Sequence, residues 1–111
     1  MKEIEYLLAN DMIRETYSSE WSWPCVLANK PNGGVRFCTD YRELNKITVP
    51  DTFPVQRIDD CIDTIGQSHS ITKIDLLKGY WQLELTEEAK RISAFNVARK
   101  TFEYNVLPFG L

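Results

Sequence analysis

The sequence is short of everything that marks a secreted, metal-stapled or membrane-spanning protein. Its 111 residues hold one histidine, His69, and three widely spaced cysteines, Cys25, Cys38 and Cys61. That set makes neither a zinc site nor a disulfide framework, and the thiols read as small buried apolar groups in a reducing intracellular compartment. No apolar run approaches the roughly 20 residues that cross a bilayer, and charge is mixed through Met1 to Met12, which reads against a secretory signal. Excess positive charge is missing too. The net charge is −3, set by Lys2 and Arg14 facing Glu3, Glu5, Asp11, Glu15 and Glu20, while Pro24 to Leu111 balances to zero. Bulk charge therefore gives no support for nucleic-acid binding, and any such binding rests on local placement.

What is present suits a packed core. A hydrophobic fraction of 43% and an aromatic fraction of 12% argue for one domain, or part of one, and against a disordered tail. Ile4, Leu7 and Leu8, with Met12 four further on, predict a short amphipathic helix stopped by Asn10-Asp11. Ser18 to Pro24 is a turn-rich connector whose Trp21 and Trp23 cover the flank of a core. Cys25–Ala28 and Val35–Cys38 are β-prone runs joined by Pro31-Asn32-Gly33-Gly34, a strong hairpin signal because Asn and Gly accept positive φ. Lys30 and Arg36 lie near its tip, where two cations either grip phosphates or are simply solvated.

Thr39 to Asn45 is expected to carry the second strand into a turn, with Asp40 and Arg42 on one face. After the connector Asp51–Pro54, the stripe Val55, Ile58, Ile62 and Ile65 predicts a helix stopped by Gly66. Asp59, Asp60 and Asp63 fall on it as a solvated face, since successive helical side chains diverge by about 100°. Thr86–Ala89 reads as a turn or helical turn. Ile92–Val97 and Thr101–Val106 read as strands of a second hairpin around Ala98-Arg99-Lys100.

The chain is organised around Ile71–Leu85, ITKIDLLKGYWQLEL. Alternation through Ile71, Lys73 and Ile74 predicts a strand running into Asp75, and alternation resumes at Leu83 and Leu85. Asp75 either caps a turn between strands or presents its carboxylate to a metal, with a glycine and an aromatic close behind it shaping a pocket.

Taken together, WSWPCVLANKPNGGVRFCTDYRELNKIT, FPVQRIDDCID, KIDLLKGYWQLEL, ISAF and VLPFGL resemble the reverse transcriptase of long-terminal-repeat retrotransposons, closest to the Ty3/Gypsy type, from about Glu3 onward. The resemblance implies an α+β piece of a right-hand polymerase: residues 1–23 as the first helix and connector of the fingers, 24–66 as the fingers hairpin and helix, 67–111 as the start of an antiparallel palm sheet. It implies RNA-directed DNA synthesis on an RNA or DNA primer–template from deoxynucleoside triphosphates, with Mg²⁺ or Mn²⁺, in the cytoplasm, a virus-like particle or the nucleus, without a membrane. By the same resemblance Asp75 is the first of three catalytic carboxylates and a metal ligand, helped by the Leu76 carbonyl. Lys30 and Arg36 hold the triphosphate, Gly79 and Tyr80 form the sugar pocket that excludes a 2′-hydroxyl, Phe109 and Gly110 pack near the nucleotide, and Asp40 and Arg42 position the template.

Two departures from the family pattern are small: Glu20 stands where proline is usual, and Asn29 where a second basic residue is frequent. A larger one is that the Tyr-x-Asp-Asp turn bearing the other two carboxylates does not occur in these residues. The apolar ending Leu107–Leu111 is read as a truncation ahead of that turn and of the remaining palm, thumb and RNase H regions. A chain with one carboxylate and a sheet cut partway is expected neither to polymerise alone nor to be very stable. The alternatives are a non-catalytic retroelement relic that binds nucleic acid or a partner chain weakly, and an inert gene fragment.

Overall fold

Three antiparallel strands carry the core. The computed structural model describes residues 2–111; Met1, where the expected 1–23 segment starts, lies outside the described residues. β1 (Ile13–Thr16) pairs with β5 (Lys100–Tyr104), and β5 with β4 (Phe95–Val97), in the order β1-β5-β4. The β4–β5 hairpin is the one expected around Ala98-Arg99-Lys100. Val97 pairs with Lys100, and Ala98 and Arg99 both take positive φ (50° and 66°), as a two-residue turn with the twist of the strands requires. Phe95 lies at the centre, with ring centroids 4.9 Å from Tyr104 and 5.8 Å from Phe102. Such contacts each add about 0.5–1.5 kcal/mol beyond area burial.

β1 has no counterpart among the sequence expectations. Ile-Arg-Glu-Thr shows too little alternation to announce a strand, and its register, Ile13↔Tyr104 to Thr16↔Thr101, comes from a partner distant in sequence. Ile13 is buried beneath α1 (Lys2–Ala9), which turns Ile4 and Leu7 inward as the stripe predicted. Asp11, at φ 55°, then breaks the helix direction.

Ile92 does not begin a strand. Glu87–Ile92 forms α4, because the Thr86 hydroxyl accepts the Ala89 N–H at 3.2 Å while Glu87 and Glu88 occupy the positive end and Lys90 and Arg91 the negative end. Strand geometry starts only at Phe95.

β2 (Cys25–Asn29) and β3 (Val35–Thr39) form the expected hairpin, in register from Cys25↔Thr39 to Asn29↔Val35. Phe37 brings its base to the core, 5.7 Å from Phe95. Trp21 and Trp23 do cover that flank: they stack at 5.7 Å, and Trp23 donates its indole N–H to the Ile92 carbonyl at 2.6 Å. Past Thr39 the chain does not run into a simple turn. It enters α2 (Arg42–Ile47), whose first turn is held by the Asp40 carboxylate accepting the Arg42 N–H at 3.1 Å and whose Leu44 is buried.

These elements belong to one unit, residues 2–47 with 78–111, and Thr48–Leu77 is a second. In the second unit α3 (Ile58–Gly66) ends at the expected glycine. It starts after Val55, because Arg57 is still extended (φ −69°, ψ 148°), and none of its residues is buried. Ile71–Ile74 is not a strand. The stretch is irregular and exposed, and among the described residues no segment pairs with it, so its alternation has nothing to bond to. The renewed alternation at Leu83–Leu85 amounts to one bridge, Glu84↔Val106. Among the described residues no helix is long and apolar enough to cross a membrane.

Candidate functional site

The β2–β3 hairpin presents the two expected cations. Its tip is closed by the Lys30 N–H donating to the Gly34 carbonyl at 2.6 Å and the Gly33 N–H to the Lys30 carbonyl at 3.0 Å. Gly33, at φ +80°, is where the turn needs glycine. Arg36 pairs with Ala28, and Lys30 lies opposite Gly34, so the two cations share the hairpin face turned away from Phe37. Both are exposed, and among the described residues neither has an ion-pair partner. Two unneutralised cations on a narrow ribbon are suited to an anion with several oxygens.

Asp40 and Arg42 are brought together more tightly than a shared face implies. The Arg42 guanidinium donates to both carboxylate oxygens, Nη2 to Oδ2 at 2.6 Å and Nε to Oδ1 at 2.9 Å. That ion pair, with the Arg42 backbone N–H behind it, pulls the Asp40 carboxyl down to about 2 and raises the Arg42 guanidinium. Arg42 remains exposed on its outer side, so the pair presents a fixed cation with Asp40 as its anchor.

Gly79 and Tyr80 lie in a 3-10 turn, Gly79–Gln82, where Tyr80 is half exposed. The fold carries Phe109 to them across the sequence: its ring meets Tyr80 edge-on at 5.8 Å and Trp81 at 5.4 Å. Gly110 has φ +91°, and its carbonyl accepts the Asn45 side-chain N–H at 2.6 Å, which ties this end of the chain to α2. A cavity of about 20 Å³ is bordered by Phe109 and Trp81 and by Phe37, Cys38 and Thr39, so Phe109 lies beside the end of β3, the strand that bears Arg36. Asn45 and Trp81 were not among the expected site residues. No local pattern singles out Asn45, whereas Trp81 was visible as the aromatic after Tyr80.

Asp75 and Leu76 belong to the Thr48–Leu77 unit, in an exposed irregular stretch. The donor set does not fit a divalent ion by itself: among the described residues no group of three or more His, Cys, Asp or Glu side chains converges. One carboxylate with a neighbouring carbonyl leaves most of an octahedral shell unfilled and, even bridging two ions about 4 Å apart, cannot organise both. Asp59 and Asp60 lie on α3 as a solvated face.

An edge-paired aromatic couple, a cation-bearing hairpin and a three-stranded antiparallel sheet with its helices make an α+β fold. The profile of the family described as "Reverse transcriptase (RNA-dependent DNA polymerase)" matches residues 28–111, and the chain belongs to that family. Within it the chain falls with the Ty3/Gypsy type: it is 35% identical to the Retrovirus-related Pol polyprotein from transposon 297 of Drosophila melanogaster over 98% of its own length and 11% of that protein's. It is 36% identical to the Pol polyprotein from transposon 412 of the same organism, over 94% of this chain and 9% of the relative. The corresponding protein of transposon gypsy is 32% identical over 98% and 11%. The chain thus spans about a tenth of the length of these curated relatives. Among solved structures, the foamy viral protease-reverse transcriptase in complex with dsDNA superposes with a TM-score of 0.75 at 25% identity, over 99% of this chain and 23% of that one. The same enzyme in complex with an RNA/DNA hybrid gives 0.72 at 27%, over 97% and 14%.

Proposed function

We propose that this chain is the fingers and opening palm portion of an RNA-directed DNA polymerase, with residues 1–23 and 24–66 as fingers and 67–111 as palm. In that reading Lys30 and Arg36 take the triphosphate of an incoming deoxynucleotide. Tyr80, with Gly79, closes the space a 2′-hydroxyl would need, and Phe109 and Gly110 form the wall behind it. Arg42, held by Asp40, contacts the template backbone. Asp75 is one carboxylate ligand for the divalent ions the family's chemistry uses, with the Leu76 carbonyl beside it; the other ligands are not among these residues. The observation that carries the reading is the Tyr80–Phe109 pair, which joins two motifs far apart in sequence, with Phe109 beside the end of β3.

The incomplete carboxylate set favours a second reading for the 111 residues taken alone: they bind primer–template without extending it. Both are tested by anisotropy of a labelled RNA/DNA primer–template over a salt series, in parallel with a Mg²⁺ extension assay. The expected result is salt-dependent binding, weakened by Lys30→Ala with Arg36→Ala, and no extension. Binding indifferent to the double variant removes the assigned cations, and extension by these residues alone overturns the reading of Asp75 as one carboxylate of three.

A further inference from the structure

Lys78 is the residue before the sugar-pocket pair, and nothing in its sequence context marks it. It takes a left-handed backbone (φ 52°, ψ 47°) that a lysine enters only when its surroundings hold it there. From that position its ammonium donates to the Tyr6 hydroxyl of α1 and lies 4.6 Å from the Tyr6 ring centroid and 4.7 Å from that of Trp81. The Lys78 carbonyl accepts the Trp81 N–H at 2.9 Å, which starts the 3-10 turn on which Tyr80 is mounted. The Trp81 indole N–H is buried without a hydrogen-bond partner among the described residues, so the ring is held by its faces and not by its polar edge. One face takes the Lys78 cation. Phe109 packs on the ring at 5.4 Å and meets Tyr80 edge-on at 5.8 Å.

We propose that Lys78 is a positioning residue: clamped between Tyr6 and Trp81, it fixes the Trp81–Phe109–Tyr80 row and thereby the choice of sugar at Tyr80. The inference rests on the reading of Tyr80 given above. It assigns α1, none of whose residues is given a nucleotide contact in that reading, a share in substrate selection through one cation shared by two rings. Removing the charge takes away one partner of the Trp81 face, and a shift of that ring passes to Phe109, which packs on it at a tilt of 48°, and from Phe109 to Tyr80, which it meets edge-on.

The test uses the whole 111-residue chain and three variants. Lys78→Gly and Lys78→Asn suit the left-handed backbone but lack the cation; Lys78→Arg keeps the cation. Ring-proton resonances of Tyr80 and the indole N–H of Trp81 report the clamp, and titration with dGTP and with GTP reports selection. The expected result is displaced Tyr80 and Trp81 resonances and an at least threefold smaller dGTP-over-GTP preference in the Gly and Asn variants, with Lys78→Arg close to the parent in both. Tyr80 resonances unchanged in Lys78→Gly overturn the clamp. Displaced resonances with an unchanged preference overturn its role in selection. A parent chain that does not prefer dGTP refutes the reading of Tyr80 itself, and the resonances then still decide whether the clamp exists.

Discussion

Arg14 is expected to be worth more to this fold than its exposure implies. It lies on β1 directly opposite Glu103 of β5, and its guanidinium divides between two carboxylates, Nε to Glu103 at 2.5 Å and Nη2 to Glu87 of α4 at 2.8 Å. The two ends differ. Glu87 is exposed and has Lys90 as a second partner, whereas the Glu103 side chain is only 4% exposed and Arg14 is its cation. Removing one member of a buried pair costs about 3–5 kcal/mol, because the other charge is stranded. Arg14 is itself 43% exposed, so water reaches the vacated space and the cost of Arg14→Met falls below that range, to about 2–3 kcal/mol. Glu103→Gln should cost only about 1 kcal/mol, since the amide oxygen still accepts from Arg14 and Arg14 keeps Glu87. The double variant should then recover much of the loss seen in Arg14→Met, which sets the coupling apart from two independent deletions. Urea titration followed by tryptophan fluorescence measures the order directly, at low protein concentration and with the slope unchanged among variants. A loss in Arg14→Met no larger than in Glu103→Gln would refute the account, for it would mean that Glu103 is not a stranded charge when its partner is gone.

Three more outcomes are expected. Ala98→Asn with Arg99→Gly supplies the residues that a two-residue turn with both φ values positive prefers, and should raise stability by about 1 kcal/mol in the same urea assay; a loss would mean that Ala98 or Arg99 makes a contact the turn needs. The Asp40 carboxyl, drawn down to about 2 by Arg42, contributes stability that is present above the ordinary carboxylate range and is lost as pH falls toward 2; carboxyl NMR should find it ionised at pH 3, and Arg42→Ala should return it to the ordinary range. Hydrogen exchange should be fast throughout α3, a nine-residue helix with no buried side chain, and slow at Tyr104 and Asn105, whose amides bond to Ser93 and Met12; comparable protection would show that α3 is covered in solution.

The elements legible in the sequence are those whose signal is local. Asn32-Gly33 marked the first hairpin, Gly66 the end of α3, and the Ile4–Leu7 spacing the first helix. α2 had a local signal that went unread: Asp40 followed by Glu43 three residues on is the pattern of a helix start, and reading Thr39–Asn45 as a strand continued into a turn passed over it. α4 was half visible in Thr86-Glu87-Glu88, but the apolar Ile92 drew the strand reading three residues too early. β1 was not legible. Its one apolar residue, Ile13, becomes a strand residue only because Tyr104 is opposite, and a register set by a distant partner leaves no mark on four residues. Of the site, the residue types were legible from the motifs. That Phe109 would meet Tyr80, that Asn45 would hold Gly110, and that Arg42 would be held by Asp40 are facts of packing.

Ile71–Ile74 shows the same limit from the opposite side. It is β-prone and expected as a strand, yet it forms none, while Lys100–Tyr104 is bonded on both edges. The difference is the availability of partners. β5 has β1 and β4 beside it and buries Phe102 and Tyr104 between α1 and the hairpin base, whereas Ile71, Ile74, Leu76 and Leu77 stay exposed. A strand is defined by its neighbours as much as by its own residues, and the stretch that leads into Asp75 lacks any among the described residues. Hence the carboxylate most clearly marked by the motifs is the one whose placement this chain determines least. Tyr80 and Phe109, by contrast, are joined ring to ring, and Gly110 beside them is tied to α2 through Asn45.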